Sequence, residues 1–142
     1  MKGNFYIGVL FVLFMADSKD LHEEILKWVE EEYGDILSDS KQAIYVYVCD
    51  RHKLCNQKFS SLLGYSSPEE WAMKEDAVSD VKDDDQSVLI SAYKNAMEQK
   101  IGSNIIISWK NKKKGNLIKT NVILVPQSYK GELFALHFVT KI

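Results

Sequence analysis

The sequence predicts an α+β fold: a five-stranded antiparallel sheet with helices on one face and an N-terminal amphipathic helix. Three observations support this prediction. An amphipathic helix precedes the first strand, two short helices with clear start and stop signals follow the second, and three strands joined by tight turns complete the chain. The 142 residues are enough to bury one core. We expect residues 1–42 to form an apolar segment and the first helix, and residues 43–142 to form the core.

The first predicted helix, Asp20 to Leu37, has one wide apolar face. Its apolar positions fall on one half of the helical wheel: Leu21, Ile25, Leu26, Trp28, Val29, Tyr33, Ile36 and Leu37. Charged residues occupy most of the other half. A stripe of this width covers either a sheet face or a partner helix. We therefore expect this helix to cap the sheet or to mediate a dimer, through Leu21, Ile25, Trp28, Val29 and Tyr33.

The segment before this helix, Phe5 to Ala16, contains no polar side chain. Twelve residues are too few to span a bilayer, which needs about 20, so we predict no membrane span. One interpretation is burial in the protein, as an extra strand or as an arm exchanged between protomers. The other is the core of a signal peptide that ends within residues 1–18. The first implies a cytoplasmic protein and the second an exported one.

Two strands and two capped helices are predicted next. Ala43–Cys49 is β-branched and aromatic, and the turn Asp50–His52 leads into a second short strand. Asn56 suits the N-cap of the following helix, and Gly64 can end it in the left-handed conformation. Ser67–Glu70 has the residues of a capping box with proline at the first helical position.

The second half of the chain predicts one long helix and three strands. Asp83–Asp85 place acidic side chains at the start of the helix, where they are favourable, and Gly102 is expected to end it. The strands are expected at Asn104 to Lys110, Asn116 to Pro126 and Glu132 to Thr140. Glycine-containing turns join them as antiparallel hairpins.

This order of elements resembles the PAS sensor-domain family over Ala43 to Ile142. The helix before it resembles the N-terminal cap with which many PAS domains cover the outer sheet face and dimerise. Four local matches carry the resemblance: Asn56-x-x-Phe59 with Leu62-Leu63-Gly64-Tyr65-Ser66, Ser67-x-Glu69-Glu70, Asp83-Asp84-Asp85 in place of P-D-D, and the turn Lys114-Gly115 with the strand end Val125-Pro126.

The resemblance implies a sensory or interaction module in signal transduction that is not an enzyme and that acts as a homodimer. Many PAS domains end in D-I-T, whose aspartate links the core to an output helix. Phe138–Thr140 stand at those positions here. We therefore expect the signal to pass to a separate, unidentified protein partner or through the oligomer.

The cofactors of the family are disfavoured by the residues present. The common haem-binding members need a histidine on or near the long helix, and Asp84 to Ile101 has none. Light-sensing flavin members need a cysteine on a short helix, and Glu75 to Val81 lacks one. No paired carboxylates or His–acid constellation occurs among the residues expected inside, so we predict no catalytic residues.

Two further patterns raise the question of a metal site and of a nucleic-acid-binding surface. Cys49-x-x-His52-x-x-Cys55 contains zinc-type ligands, but no second pair completes a tetrahedron, so we predict no metal site. Five lysines cluster on one hairpin: Lys110, Lys112, Lys113, Lys114 and Lys119. Because the net charge is −2, a solvated hairpin tip is the better interpretation, and we expect no nucleic-acid partner.

A ligand, if one binds, is expected between the long helix and the sheet. Strand alternation and helix periodicity give a nearly apolar set of candidates: Phe59, Leu63, Trp71, Tyr93, Met97, Ile107, Trp109, Thr120, Val122, Leu124, Phe134 and Leu136. The polar groups among them are the Tyr93 hydroxyl, the Trp109 indole and the Thr120 hydroxyl. The alternative is a core filled by these bulky side chains, and thus a ligand-free adaptor or dimerisation domain.

The same alternation places His137 on the opposite face of the last strand from Phe134 and Leu136. It would then lie under the cap helix, within reach of His22. Protonation of such a pair near neutral pH would loosen the helix.

Overall fold

The computed structural model describes the backbone from Ile7 to Ile142 and the side chains from Asp20 onward. The predicted α+β fold is confirmed, with one antiparallel sheet of order β2-β1-β5-β4-β3. The elements in chain order are α1 Ile7–Asp39, β1 Ala43–Cys49, β2 His52–Cys55, α2 Gln57–Leu62, α3 Pro68–Ala72, 3₁₀ turns at Val78–Asp80 and Asp83–Asp85, α4 Gln86–Gln99, β3 Ser103–Lys110, β4 Leu117–Tyr129 and β5 Glu132–Lys141.

Helix α1 begins upstream of the predicted start at Asp20. The interpretations of Phe5 to Ala16 as a buried segment, an exchanged arm or a signal peptide concern side chains that lie outside the described residues. Among the helices that the structure describes, none is both long and apolar enough to cross a membrane.

Strand β4 runs three residues past its predicted end and pairs with β5 up to Tyr129. Pro126 lies inside it and is tolerated because β3, the other neighbour of β4, pairs only as far as Leu124. The hairpin then closes on Lys130 (φ 51°) and Gly131 (φ 84°). Positive φ at both central residues matches the right-handed twist of the two strands.

The face of the sheet that carries α2, α3 and α4 is packed around four aromatic side chains. Tyr45, Phe59, Trp71 and Trp109 are each at most 1% exposed. The Phe59 ring lies 4.6 Å from Tyr45, 5.2 Å from Trp71 and 5.4 Å from Trp109, between ring centroids. Burial of such rings is a large stabilising contribution, and their edge-to-face contacts add to it.

Helix α1 lies on the opposite face. Ile25 and Val29 are fully buried against Val46, Val48 and Phe134. The other apolar residues of this helix that we expected to cap the sheet are partly buried in the same cluster: Leu21, Trp28 and Tyr33. The apolar stripe of the described part of α1 therefore covers the protein's own sheet.

The predicted facing of β5 is wrong. Phe134 and Leu136 pack under α1, whereas His137 lies on the α4 side, opposite Leu124 of β4 and Tyr45 of β1. Because β5 is central and covered on both faces, it is apolar on both. Side-chain bulk therefore does not tell the two faces of this strand apart.

The helix ends follow the predicted signals with two differences. Asn56 Oδ1 accepts from the Phe59 N–H (3.1 Å), and Ser67 Oγ accepts from the Glu70 N–H (3.1 Å). The Glu70 carboxylate reaches back to the Ser66 N–H instead of that of Ser67. Helix α4 ends at Gln99, and the left-handed residue that caps it is Lys100 (φ 57°) and not the predicted Gly102.

Candidate functional site

A cavity of about 100 Å³ lies between β1, the 3₁₀ turn after α3 and helix α4. Its lining combines apolar side chains with phenol, imidazole and carboxyl groups: Tyr45, Tyr47, Asp50, Ala77, Val78, Leu89, Ile90, Tyr93 and His137. For scale, an apolar cavity of roughly 150 Å³ takes up benzene. The volume thus suits a ligand of a few non-hydrogen atoms.

His137 and Tyr45 belong to the fully buried part of this lining. Burial lowers the pKa of His137 to about 3, against a smaller opposite effect of the backbone of Tyr45 and Ala135. The imidazole is therefore neutral at physiological pH. Within the part of the chain that the structure describes, its Nδ1 has no hydrogen-bond partner, which leaves one ring nitrogen beside the cavity without a partner.

Two tyrosines and an aspartate line the more exposed side. The Tyr47 hydroxyl donates to Asp50 Oδ1 (2.9 Å), and the Tyr47 and Tyr93 rings meet edge to face with centroids 5.2 Å apart. Burial raises the pKa of both phenols, and Asp50 raises that of Tyr47 further. Both phenols stay neutral and can donate or accept a hydrogen bond.

Most predicted pocket residues belong to the packed core beside the cavity. Tyr93 lines it, while nine others pack in the helix-side core: Phe59, Leu63, Trp71, Met97, Ile107, Trp109, Thr120, Val122 and Leu124. The Trp109 indole N–H donates to Thr120 Oγ1 (2.9 Å), and the Thr120 hydroxyl donates to the Ile107 carbonyl oxygen (2.9 Å). The hydrogen-bond donors of these two predicted polar groups are therefore both paired within the core. Phe134 and Leu136 lie on the α1 side, so their predicted place in this pocket is wrong.

Sequence reasoning missed eight lining residues, from four parts of the chain: Tyr45, Tyr47 and Asp50 of β1 and its turn, Ala77 and Val78 after α3, Leu89 and Ile90 of α4, and His137 of β5. Period-two alternation in Ala43–Cys49 puts Tyr45 and Tyr47 on one face, and this signal was available in the sequence. Nothing local placed His137 beside them, because its face depends on the register between β1 and β5.

The predicted contact between His22 and His137 is wrong, since the two lie on opposite faces of the sheet. His22 Nε2 is 3.0 Å from Glu132 Oε2, and the His22 ring is 5.6 Å from that of His52.

Both cysteines are free. Cys55 is buried in the helix-side core, and burial raises the pKa of its thiol to about 12. The Cys49 sulfur lies 3.2 Å from His52 Nδ1. Of the three residues in the Cys49-x-x-His52-x-x-Cys55 pattern, Cys49 and His52 therefore lie together, while Cys55 lies apart from them in the core.

Comparisons with known proteins place the fold. No protein-family model matches the sequence, and no curated protein matches it significantly. Solved structures match well. The PAS domain of a protein from Colwellia psychrerythraea is 19% identical, with a TM-score of 0.65 over 80% of this chain and 97% of that one.

Two other structures agree. The PAS domain of an HTR-like protein from Haloarcula marismortui is 17% identical, with a TM-score of 0.59 over 87% of this chain and 99% of that one. A PAS domain from a two-component sensor histidine kinase is 14% identical, with a TM-score of 0.61 over 82% and 99% of the two chains. Because these matches cover at least 80% of this chain and nearly the whole of each compared domain, we conclude that this chain has the PAS fold.

Proposed function

We propose that the protein is a non-enzymatic sensory or interaction module that binds a small, mostly apolar ligand in the cavity between β1 and α4. The observation that carries the proposal is this cavity, which lies beside the fully buried His137. The PAS domains to which the fold is similar include one from a sensor histidine kinase, which supports a role in signalling.

The lining defines the class of ligand. Ala77, Val78 and Leu89 supply apolar contacts, while Tyr93 and His137 can each make one hydrogen bond. The His137 ring is neutral, so it offers no counter-ion to an anionic ligand. A small neutral molecule with an aliphatic or aromatic body and one hydroxyl or carbonyl group fits these features best.

The ligand signal would travel through β5 to helix α1. His137 faces the cavity, and Phe134 and Leu136 of the same strand pack under α1. A ligand that displaces the His137 ring would shift this strand and thereby the packing of α1 on the sheet. A dimer partner or a separate output protein that binds α1 would respond to that change in packing. Packed interfaces respond in this way because they have a few discrete arrangements.

A ligand-free adaptor is the second candidate. The specific observation in its favour is the dense aromatic core of Tyr45, Phe59, Trp71 and Trp109, which leaves a cavity of only about 100 Å³. In that case the module would act only through its protein contacts.

Ligand screening by NMR separates the two candidates. Phenol and benzene are titrated into the ¹⁵N-labelled full chain, and native mass spectrometry checks the purified protein for a retained small molecule. The ligand proposal predicts saturable shifts that are largest at the amides around Tyr47, Tyr93 and His137 and that extend along β5 to α1. Phenol should bind more tightly than benzene because its hydroxyl can form a hydrogen bond.

The matched variants are Ile90→Trp and Val88→Trp. Both residues lie on α4 and are exposed, by 50% and 40%, but only Ile90 lines the cavity. Ile90→Trp should weaken phenol binding at least about tenfold, by obstructing the mouth, while Val88→Trp leaves it unchanged. Saturable shifts that leave the amides around Tyr47, Tyr93 and His137 unchanged, or equal effects of the two variants, would contradict this site. No binding of either probe and no retained mass would favour the adaptor.

A further inference from the structure

We propose that His22, Cys49 and His52 form a binding site for a divalent transition-metal cation of the zinc type, which ties helix α1 to the β1–β2 hairpin. One ligand atom from each of the three side chains lies within 4.8 Å of the other two. None of the three lines the cavity described above. The inference is therefore independent of the proposed ligand.

The three ligands come from three different elements. His22 projects from α1, Cys49 is the last residue of β1, and His52 is the first residue of β2. The turn of Asp50 and Arg51 brings Cys49 opposite His52, which pairs with it in the sheet. His22 reaches them because Ile25, one turn further along, anchors the same helix on the sheet face.

The distances need only a small adjustment to bind a cation. With Zn–N near 2.0 Å and Zn–S near 2.3 Å, tetrahedral ligand atoms lie about 3.3 to 3.6 Å apart. The Cys49 sulfur and His52 Nδ1 are already 3.2 Å apart. A shift of about 1 Å in the His22 ring would complete the triad.

The chemistry of the ligands selects the metal. Two imidazoles and one thiolate suit zinc and similar transition metals, whereas Mg²⁺ and Ca²⁺ require oxygen ligands. Three protein ligands leave the fourth tetrahedral position open for water or an exogenous ligand.

The surroundings favour a cation at this place. The Glu132 carboxylate lies 3.0 Å from His22 Nε2 and adds negative charge beside the triad. The His22 side chain is only 17% exposed, and Cys49 is half-buried. Partial burial strengthens the electrostatic attraction between the thiolate and the cation.

Cobalt and zinc titrations of the metal-free full chain test the site. Co²⁺ should bind with one equivalent per chain, give the near-ultraviolet absorption of a cobalt–thiolate bond, and be displaced by Zn²⁺ but not by excess Mg²⁺. Cys49→Ser should abolish this band. Cys55→Ala is the matched control and should retain it, since Cys55 lies in the helix-side core.

The histidine variants test the link to helix α1. His22→Gln and His52→Gln should each lower the Co²⁺ affinity at least about tenfold, and Glu132→Gln should lower it less. At the same concentration, Zn²⁺ should raise the Tm of the wild-type chain more than that of His22→Gln. A band that persists in Cys49→Ser, or unchanged affinity in His22→Gln, would overturn the proposal.

A measurement on the unmodified sequence removes any dependence on the folding of variants. The alkylation rates of Cys49 and Cys55 by iodoacetamide are followed by peptide mass spectrometry with and without Zn²⁺. We expect Zn²⁺ to slow the alkylation of Cys49 at least about tenfold and to leave the slow reaction of the buried Cys55 unchanged. An unchanged Cys49 rate at saturating Zn²⁺ would refute the site.

Discussion

The rings of Tyr45 and His137 stack in parallel, with centroids 3.9 Å apart and planes 7° apart. The two residues are register partners on the neighbouring strands β1 and β5. At 1% and 2% exposure, neither ring has appreciable contact with water. Burial lowers the pKa of the imidazole to about 3, so this stack joins two neutral rings.

The buried imidazole should make the protein sensitive to mild acid. The unfolded chain takes up a proton at this histidine near its ordinary pKa of about 6.5, while the folded chain does so only near pH 3. Between these values the unfolded state binds more protons. The free energy of unfolding should therefore fall as the pH falls, by up to about 1.4 kcal/mol per pH unit from this one group.

Urea unfolding at pH 7, 5.5 and 4.5 measures this slope. His137→Phe keeps an aromatic ring on Tyr45 and should flatten the slope, while His22→Gln, on the other face of the sheet, should keep the His137 contribution. Parallel curves for His137→Phe and the wild type between pH 6.5 and 4.5 would show that this histidine is not the source.

Asn56 should contribute more to stability than an ordinary helix cap. Its Oδ1 accepts from the backbone N–H groups of Phe59 and Ile44, both at 3.1 Å, and its Nδ2 donates to the Gln42 carbonyl oxygen at 2.7 Å. The side chain thus joins β1 to α2 in addition to capping the helix. Asn56→Ala should lower the free energy of unfolding by about 3 kcal/mol, because it leaves buried backbone groups without hydrogen-bond partners.

The cap of the next helix provides the comparison. Among the described residues, Ser67 Oγ accepts a single hydrogen bond, from the Glu70 N–H, so Ser67→Ala should lower the free energy of unfolding by about 1 kcal/mol. Chemical denaturation of both variants measures the difference. Equal losses would mean that the bonds from Asn56 to Ile44 and Gln42 contribute little.

Gly64 should not tolerate a side chain. Its φ is +84°, and an added Cβ would lie 2.5 Å from Asn111 Oδ1 and 2.8 Å from the Lys113 nitrogen. Gly64→Ala should therefore lower the free energy of unfolding by about 2 to 4 kcal/mol, from backbone strain and this contact with the hairpin.

Gly34 is the matched control, because it lies in α1 with nothing within 4 Å of an added Cβ. Gly34→Ala should raise the free energy of unfolding by about 0.5 to 1 kcal/mol. Thermal unfolding followed by circular dichroism measures both changes. If Gly64→Ala left the free energy of unfolding unchanged, the turn that contains Asn111 and Lys113 would have to move away from the added Cβ without loss of stability.

The facing of β4 was predictable because the polar residues Lys119 and Asn121 mark its solvent side at alternate positions. Val122 is buried and Ile123 is 45% exposed, while Lys119 beside the buried Thr120 faces solvent. One covered face produces a period-two pattern that the sequence displays. Strand β5 lacks this pattern because both of its faces are covered, and the prediction for Phe134, Leu136 and His137 failed there.

The sequence by itself determined the elements whose signals are local: the caps at Asn56 and Ser67, the left-handed Gly64, the hairpin turn at Gly131 and the apolar stripe of α1. Each depends on the conformational preferences of a few consecutive residues. Only the tertiary structure decided where His137 lies and that His22 meets Cys49 and His52. Those contacts join residues far apart in the chain, and they depend on strand register and on the packing of a helix across a sheet, which no short segment encodes.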